Sequence, residues 1–237
     1  MKTTRKNYSQ WWRLWCSPVE SNDHPKLELP GAWEPTCSRC PLSLGKGKRS
    51  QNFVSHGNKI VSWWDAKDSD LPYRCMLVVP SIRRSGGLAL LWMEEVDLHV
   101  QTYTCNHIGA LIFNGSNLTC GSTGFYRWPE EQRKHESWQL LKHLHTRILA
   151  PWICVGDYNE ILSSNEKQGG VPKPLNHMEA FWATFLHCGL EDIDFQGNIF
   201  TWNNGRHGNA FVQERLDRAC ATMEWKEIYL ETRVFPL

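Results

Sequence analysis

The stretch Trp152-Ile153-Cys154-Val155-Gly156-Asp157-Tyr158-Asn159 is the one from which the rest of the chain is read. Four apolar residues in a row, stopping at a glycine, have the length and composition of a strand buried on both faces. Asp157 and Asn159 then stand two apart, and along continued strand geometry positions i and i+2 share a face. A carboxylate and a carboxamide projecting together suit a site that needs a proton acceptor, oxygen donors for a hard divalent cation, and an amide to hold phosphate. The same Gly-Asp-Tyr-Asn run is also good turn chemistry, so both readings stand at this point.

Working outward, Pro129 is expected to open a helix with Glu130 and Glu131 in its first turn. Trp138, Leu141, Leu144 and Ile148 recur at three- and four-residue steps, and Pro151 stops the pattern just before Trp152. On the other side, Asn176 is placed to cap a second helix, with Glu179 at the capping-box position and Gly189 at its end. Met178, Phe181, Phe185 and Leu186 are its expected buried stripe. Met76–Val79, Gly87–Trp92, Val96–Thr104, Gly109–Phe113 and Asn117–Phe125 read as strands. Leu190–Phe195 and Ile199–Trp202, around a turn at Gly197-Asn198, read as a hairpin, and Phe211–Leu216 as a last strand ahead of Asp217. Strands mixed with two helices, without regular alternation, predict an α/β (α+β) layered sandwich.

Composition bounds this reading. With 237 residues and 41% apolar content the chain can bury an ordinary globular core. Charge is uneven: residues 1–59 hold ten Lys/Arg against four Asp/Glu, and residues 60–237 hold sixteen against twenty-one. Residues 1–57 show no sustained period and are read as a basic, weakly ordered leader, with residues 58–237 as the domain. The nine cysteines are scattered, several inside apolar runs, which fits a reducing intracellular compartment better than a disulfide scaffold. Cys37-x-x-Cys40 has no partner pair at finger spacing and is not taken as a zinc site. No stretch reaches bilayer length and no apolar segment follows the N-terminus, so a protein neither membrane-spanning nor secreted is expected.

Two further segments carry candidate chemistry. In Glu214-Arg215-Leu216-Asp217-Arg218, alternation sets Arg215 and Asp217 on one face, as a ligand-orienting carboxylate or as an ordinary ion-pair cluster. Thr123-Gly124-Phe125-Tyr126 ends a strand on a tyrosine, either to bond a phosphate oxygen or simply to pack.

In chain order the motifs are Arg84–Trp92, Thr123–Tyr126 with Pro129-Glu130, Trp152–Leu162, Glu166-Lys167-Gln168-Gly169-Gly170, Phe185–Leu190, Phe200-Thr201-Trp202-Asn203 and Glu214–Ala219. Together they resemble the endonuclease/exonuclease/phosphatase superfamily, and are most similar to the endonuclease domain of plant LINE-type (non-LTR) retrotransposons. The resemblance implies a four-layer sandwich of two β-sheets flanked by helices, and a metal-dependent phosphodiester hydrolase acting on DNA, with RNA as the alternative substrate. It implies magnesium or manganese as cofactor, no small-molecule cofactor, and a nuclear location. It assigns catalytic roles to Asp157, which would orient or deprotonate water, and to Asn159 and Tyr126, which would contact the phosphate. Asp217, with Arg215, would support the site.

The sequence also departs from that pattern. Trp64 of Ile60–Trp64 stands where the family has a metal-site Asn, and a Trp offers no oxygen. No counterpart of the metal-binding Glu lies between Trp64 and Arg84, although Asp65, Asp68 and Asp70 fall there. Arg127 replaces the Gly after the tyrosine, and none of the ten histidines matches the family's closing Ser-Asp-His. The expectation is therefore a domain truncated at both ends, incomplete in fold and weak or inactive in catalysis. The alternative is a non-catalytic nucleic-acid-binding remnant using Arg127, Arg133, Lys134, Lys142 and Arg147 together with the basic N-terminal arm.

Overall fold

The computed structural model describes residues 12–15, 75–79, 87–92, 96–114, 117–230 and 232–236. Cys37, Cys40, Trp64, Asp65, Asp68, Asp70 and Arg84 lie outside the described residues, so the readings that rest on them do too. The first strands are β1 (Trp12–Trp15), β2 (Cys75–Val79), β3 (Leu88–Trp92), β4 (Asp97–Thr104), β5 (His107–Asn114) and β6 (Asn117–Tyr126). Helix α1 (Lys134–His145), β7 (Trp152–Asp157), β8 (Lys167–Gln168), helix α2 (Leu175–Cys188) and β9 (Glu191–Asp192) follow. The remainder is β10 (Trp202–Asn203), β11 (Gln213–Glu214), β12 (Asp217–Ala221), helix α3 (Met223–Ile228) and β13 (Arg233–Pro236). No helix among the described residues is long and apolar enough to cross a membrane.

The architecture is an α/β (α+β) sandwich built on a six-stranded sheet of order β4-β5-β6-β7-β12-β9. Neighbours pair antiparallel except β6 and β7, which run parallel across the α1 crossover. The register decides which residues share a face, because directly paired residues point the same way. Ile108, Ser122, Ile153 and Ala221 face one side; Phe125, Cys154 and Cys220 face the other. Against the second side pack α1 and α2, through Trp138, Leu141, Leu144, Phe181, Phe185 and Cys188. The Trp138 and Phe181 rings stack at 4.8 Å between the two helices. Against the first side lie the β2–β3 pair, through Leu77, Val79 and Leu90, and α3 with the residue that follows it, through Trp225 and Tyr229. Smaller sheets complete the set: β10-β11-β8, and β1 paired with β13.

Helix boundaries shift from the sequence expectation for identifiable reasons. A 3-10 turn over Glu131–Arg133 intervenes after Pro129, and α1 proper begins at Lys134 and ends before Ile148, which still packs on the core. Asn176 does not cap α2: Pro174 precedes the first helical residue in an extended conformation, and no side chain caps that end. Gly189 does end α2, at φ 59°, a left-handed conformation that costs glycine least. The buried stripe is Phe181, Thr184, Phe185 and Cys188, whereas Leu186 is 75% exposed.

The expected hairpin is not formed. Asp192 pairs with Cys220 in the large sheet, while Trp202 pairs with Glu214 in the small one. Alternation specifies a strand but not its partner, and here the chain crosses between sheets. The expected strand Phe211–Leu216 likewise divides at Arg215-Leu216. Arg215 N–H donates to the Glu166 carbonyl at 2.9 Å and Leu216 N–H to Thr201 Oγ1 at 3.0 Å, which takes both off a regular ladder. Asp217 consequently opens β12 instead of following a strand.

Candidate active site

Three of the expected site residues meet in one row. Tyr126 pairs directly with Asp157 across β6 and β7, and Asp157 pairs directly with Asp217 across β7 and β12. Strands in a sheet lie about 4.8 Å apart. All three side chains face as Val155 and Ala219 do, two residues away on the same strands, toward the β2–β3 side. The row sits where β6 and β7 end and β12 begins, which is the rim of the sheet.

Gly156 allows β7 to come this close. A Cβ at that position would lie 1.8 Å from the Phe125 carbonyl oxygen, so any other residue would force β6 and β7 apart. Thr201 anchors the opposite flank: its buried Oγ1 accepts the N–H groups of both Leu216 and Asp217 at 3.0 Å.

The two carboxyls are electrostatically tense. Burial pushes Asp157 up to about 6, while the Asn159 N–H and the Arg127 guanidinium hold it down. Asp217 is raised well above the usual carboxylate range by burial and by the charge of Asp157 beside it, against the pull of Thr201 and Arg218. They titrate as a pair. Near neutral pH such a row carries a carboxylate poised to take up a proton, the property a general base needs.

Asn159 departs from the geometry expected of it. The strand stops at Asp157, and Asn159 turns into the left-handed region at φ 46°. Its N–H donates to Asp157 Oδ1 at 2.8 Å and its Nδ2 to the Arg127 carbonyl at 2.9 Å. The backbone follows the turn reading of this segment, and the turn's Asn159 N–H bonds the Asp157 carboxylate. Tyr158 between them is buried against Phe125, Phe181 and Phe185.

Arg215 is an ion-pair residue, not a member of the row. Its guanidinium reaches Asp192 at 2.7 Å and Glu166 at 3.3 Å, and Arg218 shares the same two acids. The buried ion pairs beside the row were not foreseen from the sequence. Glu160 is buried with Lys134 at 3.0 Å and Lys173 at 3.7 Å. Arg127, expected on a cationic surface, is completely buried; Lys134 pairs with Glu131 and Glu160, and Arg133 with Glu136. Only the replacement of Gly by Arg at 127 hinted at this.

Among the described residues, the metal that the resemblance implies does not find a full set of side-chain donors. A hard cation takes about six oxygens. No group of three or more His, Cys, Asp and Glu able to hold an ion occurs among the described residues.

No family model matches the chain, and no curated protein matches it significantly. Among solved structures it is similar to the endonuclease domain of TRAS1, a telomere-specific non-LTR retrotransposon, with TM-score 0.45 and 16% identity over 62% of this chain and 67% of that one. It is also similar to beta toxin from Staphylococcus aureus, with TM-score 0.40 and 14% identity over 60% of this chain and 55% of that one. A third is an endonuclease/exonuclease/phosphatase family protein from Leptotrichia buccalis, with TM-score 0.33 and 13% identity over 58% of this chain and 54% of that one. The chain thus spans about two thirds of the first structure and little more than half of the others.

Proposed function

We propose that this chain is a phosphodiester hydrolase domain of the endonuclease/exonuclease/phosphatase type, of retrotransposon origin, acting slowly on DNA. The observation that carries the reading is the row Tyr126–Asp157–Asp217 on three adjacent strands at one rim of the sheet. Asp157, as carboxylate, takes a proton from water while the water oxygen bonds to phosphorus and the bond to the leaving oxygen breaks, the departing alkoxide taking its proton from solvent water. Tyr126 donates its hydroxyl hydrogen to a non-bridging phosphate oxygen. Asp217, held more strongly toward its neutral form, keeps the row from carrying two adjacent negative charges against an anionic substrate. A magnesium requirement is carried by the sequence resemblance alone, and no step here runs through a metal.

Slow turnover follows from this donor set, since proton transfer by a positioned group contributes on the order of 10²–10⁴-fold, only part of what hydrolases reach. The test is nicking of supercoiled plasmid in magnesium buffer by the wild-type chain and by Asp157→Ala. Loss of nicking in the variant is expected; indistinguishable rates would sink the reading.

A further inference from the structure

Arg127 follows Tyr126 directly, and the proton transfer above does not use it. A guanidinium without residual exposure needs a specific reason to be inside. Its hydrogen bonds run to the turn some thirty residues on. Its backbone N–H donates to the Asp157 carbonyl at 2.8 Å, and its own carbonyl accepts from Asn159 Nδ2 at 2.9 Å. Nε donates to the Tyr158 carbonyl and Nη2 to the Asn159 carbonyl, while Glu160 Oε2 lies 3.5 Å from Nη2. Four consecutive residues, 157–160, are thus held by one side chain and its peptide group.

A planar fork of donors fixes two carbonyls in one rigid geometry, whereas the three donors of an ammonium rotate. The turn needs such a hold: a non-glycine residue at φ 46° persists where its surroundings over-determine it. We infer that Arg127 is a positioning residue of the proposed hydrolytic site: its guanidinium grips the Tyr158 and Asn159 carbonyls and thereby sets the Asp157 carboxylate in line with Tyr126 and Asp217. The inference rests on the reading of the row as hydrolytic, but its geometry is independently measurable. The charge of Arg127 also favours ionised Asp157, together with Lys173 and against burial.

The experiment uses the full chain and its Arg127→Gln and Arg127→Lys variants, with Asp157→Asn serving to assign the Asp157 carboxyl carbon in NMR titrations. Arg127→Gln is expected to raise the Asp157 midpoint by about one unit and to displace the Asn159 amide signal. Arg127→Lys is expected to restore the midpoint while the Tyr158 and Asn159 signals stay displaced, because charge returns without the fork. In nicking, both variants should lose about tenfold in kcat with KM nearly unchanged, as misplacement of a reacting group does. A folded Arg127→Gln protein with an unmoved midpoint and unmoved Asn159 amide overturns the inference. Should that variant fail to fold, the wild type decides: a slowly exchanging Arg127 Nε–H coupled to the Tyr158 carbonyl carbon is expected, and a rapidly exchanging, uncoupled one overturns the assignment. A wild type that does not nick DNA at all removes the hydrolase reading, while the spectra still report on Arg127.

Discussion

Asp157 is held in opposition: its surroundings favour the neutral acid, and its proposed chemistry needs the carboxylate. The sign of the pH effect follows. A carboxyl raised from 3.8 to about 6 in the folded state binds more protons folded than unfolded between those values. Stability from this group is therefore present below pH 4 and is lost as pH rises to 6. Asp157→Asn keeps an oxygen for the Asn159 N–H and removes the charge. Urea unfolding at pH 7.5 should show the variant more stable by about 1–2 kcal/mol, the gap closing near pH 4. An unchanged gap at both pH values would mean that the carboxyl is not strained. Gly156 makes a second residue-scale prediction. Gly156→Ala should cost about 3 kcal/mol or more in the same measurement, because the Phe125 carbonyl occupies the space and backbone cannot swing aside like a side chain. At this scale the strand ends at Tyr126 and Asp157 were readable from sequence, whereas Asp217 was read as following a strand and in fact opens one. Arg127 was not readable, since its partners are about thirty residues away in sequence and only the parallel β6–β7 pairing brings them together.

Elements differ in how far their own residues specify them. The two helices were foreseen from local signals, and Gly189 stopped α2 where expected, since a left-handed end is a one-residue property. The split of Phe211–Leu216 and the failed hairpin were not, because both depend on distant groups, Glu166 and Thr201 in the first case and β12 in the second. Glu166 shows what such a distant group does. It receives Leu162 N–H at 2.7 Å and pairs with Arg215 and with fully buried Arg218, tying the loop before β8 to β9 and β12. Removing it leaves two buried cations short of a partner. Glu166→Ala should cost about 3–5 kcal/mol in chemical unfolding. The exposed pair Lys226–Glu191, at 2.7 Å, is the control, and Lys226→Ala should cost less than about 1 kcal/mol. Equal losses at the two sites would contradict the network's role.

For the whole molecule, one sheet carries both the core and the proposed chemistry. Helices cover one face, the β2–β3 pair and α3 cover the other, and the row of Tyr126, Asp157 and Asp217 stands at the rim on the β2–β3 side. The fold class was readable because strand-length apolar runs and amphipathic helices repeat across the chain. The assembly of the site was readable only in part, since strand order and register, not composition, bring the three residues side by side. The most direct measurement is the pH dependence of plasmid nicking by the wild type and by Asp217→Asn. The account predicts a wild-type rate that rises through about pH 6 as Asp157 ionises, and a limb that stays in place in Asp217→Asn, because Asp217 is still neutral when Asp157 gives up its proton. Absence of nicking, or a limb displaced to lower pH when Asp217 is replaced, would contradict it.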